Sequence, residues 1–157
     1  LESVEEPAPE PTRAATIVGE VVGSFILSFL GLGIGVAAFV YGQQQDVTWF
    51  GDIWPTSFGW ALCIALGIYC AASLSGTHFN PAVTLAPAAT GRHPWNQVPR
   101  SIVCQIIGWF LGALVVWILF AHNIKEIAIA EGIDYGDPGS RDLMAPAHPL
   151  PHPSGIA

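Results

Sequence analysis

Ser75-Gly76-Thr77-His78-Phe79-Asn80-Pro81-Ala82-Val83-Thr84 lies inside the longest charge-free interval of the 157-residue chain, the 39 residues between Asp52 and Arg92. One helical crossing of a bilayer takes only about 20 residues, so the surplus also has to be accommodated at membrane depth. Asn80-Pro81 indicates how. Asn is a favoured N-cap, and Pro suits the first helical position because its missing N–H would have no intrahelical partner there. A helix is expected to start at Asn80, with Gly91 as its natural stop. From Pro81 to Thr90 it would be about 15 Å long, half of a ~30 Å hydrocarbon core. The expected element is a re-entrant half-helix whose N-terminus points into the membrane.

A helix N-terminus at that depth carries free N–H groups and a partial positive charge, tolerable only inside protein or along a water-filled path. The preceding Gly76-Thr77-His78-Phe79 reads as extended, with carbonyls that lack helical partners. Carbonyls in a row beside an amide and a helix N-terminus form a polar lane through an apolar wall. Such a lane suits small neutral hydrogen-bonding solutes. The positive helix end and the lack of fixed anionic groups oppose cations and protons. The plainer alternatives are an ordinary N-cap of a short helix at Asn80-Pro81 and a loop histidine at His78.

The composition agrees with a membrane setting. Hydrophobic residues make up 52% and charged residues 11%, with mean hydropathy +0.50, which is too apolar for a soluble domain of this size. The net charge of −7 sits largely in the two tails, and no basic patch suggests nucleic acid as a partner. Cys63, Cys70 and Cys104 fall in apolar spans without metal-type spacing and read as packing residues. No catalytic constellation is visible, so neither an enzyme nor a cofactor is expected.

Residues 1–13, with Glu2, Glu5, Glu6 and Glu10 among prolines, read as a disordered acidic tail. No basic n-region makes the next apolar run a signal peptide, and the missing initiator Met leaves the true start open. The first span is expected at about 14–41. Its Gly19, Gly23, Gly31 and Gly35 form a small-residue stripe suited to a second helix. Glu20 is an ionisable group inside that span, which marks function, unless it simply complements the helix dipole. Trp49, Phe50 and Trp54, in the connection 42–55, read as an interfacial aromatic belt. The second span is expected at about 56–74, the loop and half-helix at 75–91, and the third span at about 98–121. Pro87 removes a hydrogen bond to Val83 and is expected to kink or shorten the half-helix. Gly108 and Gly112 offer a second close-packing face, and Gln105 is a buried amide. Residues 123–157, rich in charge and proline, read as a polar loop or tail that does not return to the membrane. Arg13, Arg92 and Arg100 flank one side of the spans, which places the N-terminus in the cytoplasm.

The run SGTHFNPAVT at the end of an apolar span, with Gly-Glu-Val-Val-Gly-Ser-Phe around Glu20, resembles the aquaporin and glycerol-facilitator family, the major intrinsic proteins. The likeness covers about residues 14–120. It implies an all-α membrane protein of three transmembrane helices plus one re-entrant half-helix, one inverted-repeat half of a six-helix fold. It implies that Glu20 accepts backbone N–H groups of the loop and that Gln105 bonds to the same loop. Pro81 and Ala82 would complete the Asn-Pro-Ala box that positions it. Asn80 would donate to the solute, and the carbonyls of Gly76, Thr77 and His78 would accept from it. In the family, the aromatic twenty residues before the box asparagine belongs to the selectivity filter. Glycerol-conducting members carry Trp there and water-selective members usually Phe. Trp60 has that spacing, the alternative being one more belt tryptophan.

The resemblance therefore implies a passive plasma-membrane channel for glycerol and similar small polyols, surrounded by lipid and assembled as a homotetramer with one pore per subunit. A second box and its following arginine are missing from these 157 residues. The expectation is a truncated chain. The alternatives are a half-channel that pairs with a separate second half, a non-conducting interaction module, and a water-selective channel.

Overall fold

The computed structural model describes residues 11–45, 52–130 and 132. Trp49, Phe50, most of the N-terminal tail and the segment 133–157 lie outside the described residues. Four helices follow in order: α1 (Arg13–Gln45), α2 (Ile53–Ala71), α3 (Pro81–Ala89) and α4 (Val98–Ala130). Among the described residues there is no strand. Helices α1, α2 and α4 are long and apolar enough to cross a membrane. The architecture is thus all-α, three candidate spans and one nine-residue helix.

The ends differ from the sequence reading in instructive ways. Helix α1 starts where the Thr12 hydroxyl accepts the Ala15 N–H at 3.2 Å, an N-cap inside the tail, and it runs past residue 41 to Gln45. Helix α2 stops at Ala71 rather than 74, because the N–H groups of Leu74 and Ser75 both turn back onto the Ala71 carbonyl. Helix α4 continues nine residues beyond 121. Ile124, Ile127 and Ala128 are buried at i, i+3, i+4 spacing, which outweighs Lys125 and Glu126 on the exposed side. Charge counting obscured that periodicity.

Helix α1 is the centre of the fold. It packs most extensively against α4 and then against α2, while α3 rests on α4. Helices α2 and α4 do not approach each other closely. A Cβ on Gly108 would meet Val21 and Ser24, and one on Gly112 would meet Ser28 and Phe29. Rising residue numbers therefore pair in both helices, so α1 and α4 run parallel. Gly67 faces Gly23, and Gly59 faces Ile34, so α2 runs antiparallel to α1.

The glycine stripe of α1 does something other than receive a helix backbone. Gly19 makes room for Ser75, Gly23 for the Phe79 ring and Gly31 for the Trp60 indole. The closest backbone-to-backbone approaches belong to Gly108 and Gly112 of α4, and Gly67 of α2 comes near the Gly23 carbonyl. In lipid, where apolar burial adds no driving force between helices, this van der Waals fit holds α1 on α4 together with the hydrogen bonds from Gln105 to Glu20 and from the Ser28 hydroxyl to the Gly108 carbonyl. Large side chains such as Phe58, Tyr69 and Ile118 point outward, as expected of a surface whose solvent is hydrocarbon.

Candidate functional site

The site is the chain turn between α2 and α3 together with the side chains that hold it. Phe79 anchors it. Its ring is 2% exposed and sits between Gly23 of α1 and Gly67 of α2, where a Cβ on Gly67 would lie 3.5 Å away. Only glycine on α1 leaves that slot open.

The segment before Asn80 is not uniformly extended. Thr77 and Phe79 adopt left-handed backbone, with φ of 52° and 51°, a conformation that costs about 1–2 kcal/mol for a residue with a Cβ. The reason is visible in the hydrogen bonds. The Ser75 hydroxyl accepts the Thr77 N–H at 3.1 Å. The two carboxylate oxygens of Glu20 accept the N–H groups of His78 and Phe79, each at 3.2 Å. The left-handed residues bracket this clamp, Thr77 standing before the His78 amide and Phe79 carrying the second one.

Glu20 is itself buried, 2% exposed. A buried carboxylate requires donors, and a third comes from the Gln105 amide, at 2.8 Å from Oε2. The same Gln105 nitrogen donates to the Thr84 hydroxyl at 2.8 Å, and that hydroxyl donates to the Asn80 carbonyl at 3.2 Å. One network thus ties α1, α4, the loop and the first turn of α3. From the other side the Trp109 indole N–H donates to the Phe79 carbonyl at 3.0 Å. The carbonyls of Gly76, Thr77 and His78 have no hydrogen-bond partner among the described residues.

Asn80 caps α3 as its sequence position implies. Its backbone is extended (φ −145°, ψ 131°), and its Oδ1 accepts the Ala82 N–H at 2.8 Å. With Oδ1 committed, the amide group turned away from the helix is the NH2 donor. Asn80 is exposed and opens onto a cavity of about 510 Å³ between Asn80-Pro81 and the α4 face bearing Gln105, Trp109 and Phe110. Donor, helix N-terminus and apolar wall therefore meet in one concave place, with no acidic group lining it.

Pro87 does not interrupt α3. It stands in the last turn, where its carbonyl accepts the Arg92 N–H at 2.8 Å. Gly91, at φ 74°, donates to Ala88, which completes a Schellman stop. The sequence reading expected a kink or a shortening, and the helix ends at Ala89, one residue before Thr90. In the final turn the missing N–H leaves one carbonyl short and does not break the helix.

Trp60 is half-buried on Gly31 and stacks on Trp109, ring centroids 6.4 Å apart and 22° from parallel. It reaches the Asn80 loop through Trp109 and through the buried cluster of Leu27, Cys63, Ala71 and Phe79. His78 meets His93, which follows α3, edge-on at 5.0 Å. Trp109, Thr84, Ser75 and His93 were not singled out from sequence. The available signal was spacing: Trp109 lies one turn beyond Gln105, and Thr84 one turn beyond Asn80.

His93 carries a pH prediction. Burial, together with the nearby His78 and Arg100, pulls its pKa below the usual histidine value, against an opposing pull from Glu20. Its Nε2 is buried without a partner among the described residues. The unfolded chain then binds more protons than the folded one as pH falls through the histidine range, so stability present at neutral pH is lost in acid. Between about pH 7.5 and about pH 5.5, the melting temperature in detergent should fall by a few degrees more in the native chain than in His93→Gln. Equal slopes for the two would exclude His93 as the group responsible.

Among known proteins, the family model "MIP: Major intrinsic protein" matches residues 9–138. Aquaglyceroporin-3 of Trypanosoma brucei brucei is 32% identical over 128 residues, which are 82% of this chain and 40% of the relative. A probable glycerol uptake facilitator protein of Thermotoga maritima is 38% identical over 109 residues, 69% of this chain and 45% of the relative. The X-ray structure of the aquaglyceroporin from Plasmodium falciparum superposes with a TM-score of 0.64 at 29% identity, covering 73% of this chain and 45% of that one. The chain spans less than half the length of these relatives.

Proposed function

This chain belongs to the major intrinsic protein family, and from that premise we propose that it supplies the Asn80-bearing half of a passive channel for glycerol and similar small neutral polyols. Members of the family are membrane channels, not enzymes. The observation that carries the reading is the fixed amide of Asn80. Its Oδ1 is taken by the Ala82 N–H, so its NH2 group presents a donor at the cavity mouth, beside the positive end of α3. A hydroxyl oxygen can accept there, and the unpartnered carbonyls of Gly76, Thr77 and His78 can accept the hydroxyl proton in turn. A cation would meet a positive helix end instead.

Glycerol is favoured over water alone by Trp60, whose indole gives an apolar face for the C–H side of a polyol, and by relatives whose names are those of glycerol facilitators. Glu20, Gln105, Pro81 and Ala82 position the loop. The working assembly is a homotetramer in the plasma membrane with a second, inverted half closing each pore. The N-terminus is cytoplasmic, since Arg13, Arg92 and Arg100 all stand at the end where α1 and α4 begin.

The test is solute flux into proteoliposomes holding the product of the complete reading frame that contains these residues. Glycerol should enter well above the rate of empty vesicles, and Trp60→Phe should lower the glycerol-to-water ratio about tenfold, the lower end of the ~10–200-fold that one lost pocket contact commands. Water flux without glycerol flux, or a ratio indifferent to Trp60→Phe, would instead support a water channel.

A further inference from the structure

We propose that Trp109 is a second selectivity residue, forming with Trp60 a two-indole wall along which a polyol slides its C–H face; this rests on the channel function proposed above. Four observations converge on Trp109. It stacks on Trp60 at 6.4 Å and 22°. It lines the cavity shared with Asn80. It bonds the Phe79 carbonyl at 3.0 Å. It is half-buried against the core formed by Leu27, Cys63 and Phe79.

The fold explains why two indoles are needed. Helices α2 and α4 do not approach one another closely, so the gap in front of α1 would be open without large side chains to span it. Trp60 reaches in from α2 with Gly31 behind it, and Trp109 reaches in from α4. Offset-stacked aromatic rings at this separation attract one another beyond their burial. The Nε1–H bond pins Trp109, and Trp109 in turn limits the rotation of Trp60. The result is a rigid apolar strip running from Trp60 to the donor at Asn80.

The same bond also edits the polar side of the path. Four carbonyls precede Asn80, from Gly76 to Phe79. Trp109 occupies that of Phe79, so the acceptors left for a solute are those of Gly76, Thr77 and His78. The site therefore has a continuous apolar face and a polar face of three acceptors followed by one donor. That asymmetry suits a molecule with hydroxyls along one edge and C–H groups along the other, a short linear polyol. Water needs no apolar face and gains nothing from it.

The experiment compares Trp109→Phe and Trp109→Ala with the native protein, each as the product of the complete reading frame, in proteoliposomes measured for both glycerol and water. Trp109→Phe keeps a ring and loses the N–H, and should lower the glycerol-to-water ratio about threefold; Trp109→Ala removes the wall and should lower it about tenfold. If Trp109 merely supported the fold, both fluxes would drop together and the ratio would hold. A ratio unchanged in Trp109→Phe and in any Trp109→Ala protein that assembles overturns the proposal and leaves the channel reading intact. Absence of glycerol flux in the native protein overturns the channel reading, and the proposal with it. Should Trp109→Ala fail to assemble, the ratio in Trp109→Phe decides alone.

Discussion

Gly108→Val is expected to leave α1 and α4 unable to close on each other, with loss of monodisperse protein in detergent. A Cβ at position 108 would lie 2.5 Å from the Val21 carbonyl oxygen and 3.0 Å from the Phe25 amide nitrogen. Both are backbone atoms of a helix and cannot swing aside as a side-chain tip can. Overpacking in a well-packed core typically costs about 1–3 kcal/mol, and a clash with backbone belongs at the upper end or beyond. The loss is amplified in a membrane, where apolar burial adds no driving force between helices, and the Ser28 hydroxyl's bond to the Gly108 carbonyl depends on the same close approach. The check is size-exclusion chromatography and thermal melting of Gly108→Val beside Gly33→Ala. A Cβ at Gly33 would meet only Val116, at 3.8 Å, an ordinary contact. Gly33→Ala should be neutral or slightly stabilising, since Ala outranks Gly in a helix by about 1 kcal/mol. Equal behaviour of the two variants would remove the basis for calling the α1–α4 crossing a glycine-dependent approach.

Glu20→Ala is expected to release the loop before α3. The substitution strips the acceptor from the His78 and Phe79 amides and from the Gln105 side chain. Each buried donor left unpaired costs about 1–3 kcal/mol, so the three together reach several kcal/mol, enough to unlock the loop without unfolding α1 and α4. With the amides free, Thr77 and Phe79 keep only the Ser75 hydroxyl, the Trp109 indole and the packing of the Phe79 ring to hold them in left-handed backbone, and the loop should relax towards φ below zero. Hydrogen exchange at His78 and Phe79 should accelerate by at least about tenfold, the equivalent of ~1.4 kcal/mol, and, on the channel function proposed above, solute flux should be lost with it. Glu20→Gln keeps the size and one carbonyl acceptor but turns an NH2 group towards these donors, so its effect should be intermediate. Unchanged exchange at both amides in Glu20→Ala would show that Phe79 packing and the Ser75 and Trp109 bonds hold the loop without Glu20.

Some of this was legible in sequence because it is local. The stop at Gly91 needs a residue that tolerates positive φ, and the start at Asn80-Pro81 needs a side-chain acceptor followed by a missing N–H. Both requirements are met by neighbours in the chain, whatever surrounds them. Apolar runs of sufficient length mark the three spans for the same reason. The end of α4 was misjudged because Lys125 and Glu126 drew attention away from the buried spacing of Ile124, Ile127 and Ala128. The expected kink at Pro87 ignored where in the helix the proline falls.

The sequence by itself determined the membrane class, the number of spans, the half-helix and its cap, since hydropathy, capping and turn chemistry act over a few residues. Only the tertiary structure decided which glycine receives a backbone and which a ring, why Thr77 and Phe79 turn left-handed, and that Trp109 joins Trp60 to the Asn80 loop. Those features depend on contacts between residues dozens of positions apart, such as Glu20 with Gln105 and Phe79 with Trp109. No local preference encodes them; they arise when helices pack and each buried polar group must find its partner.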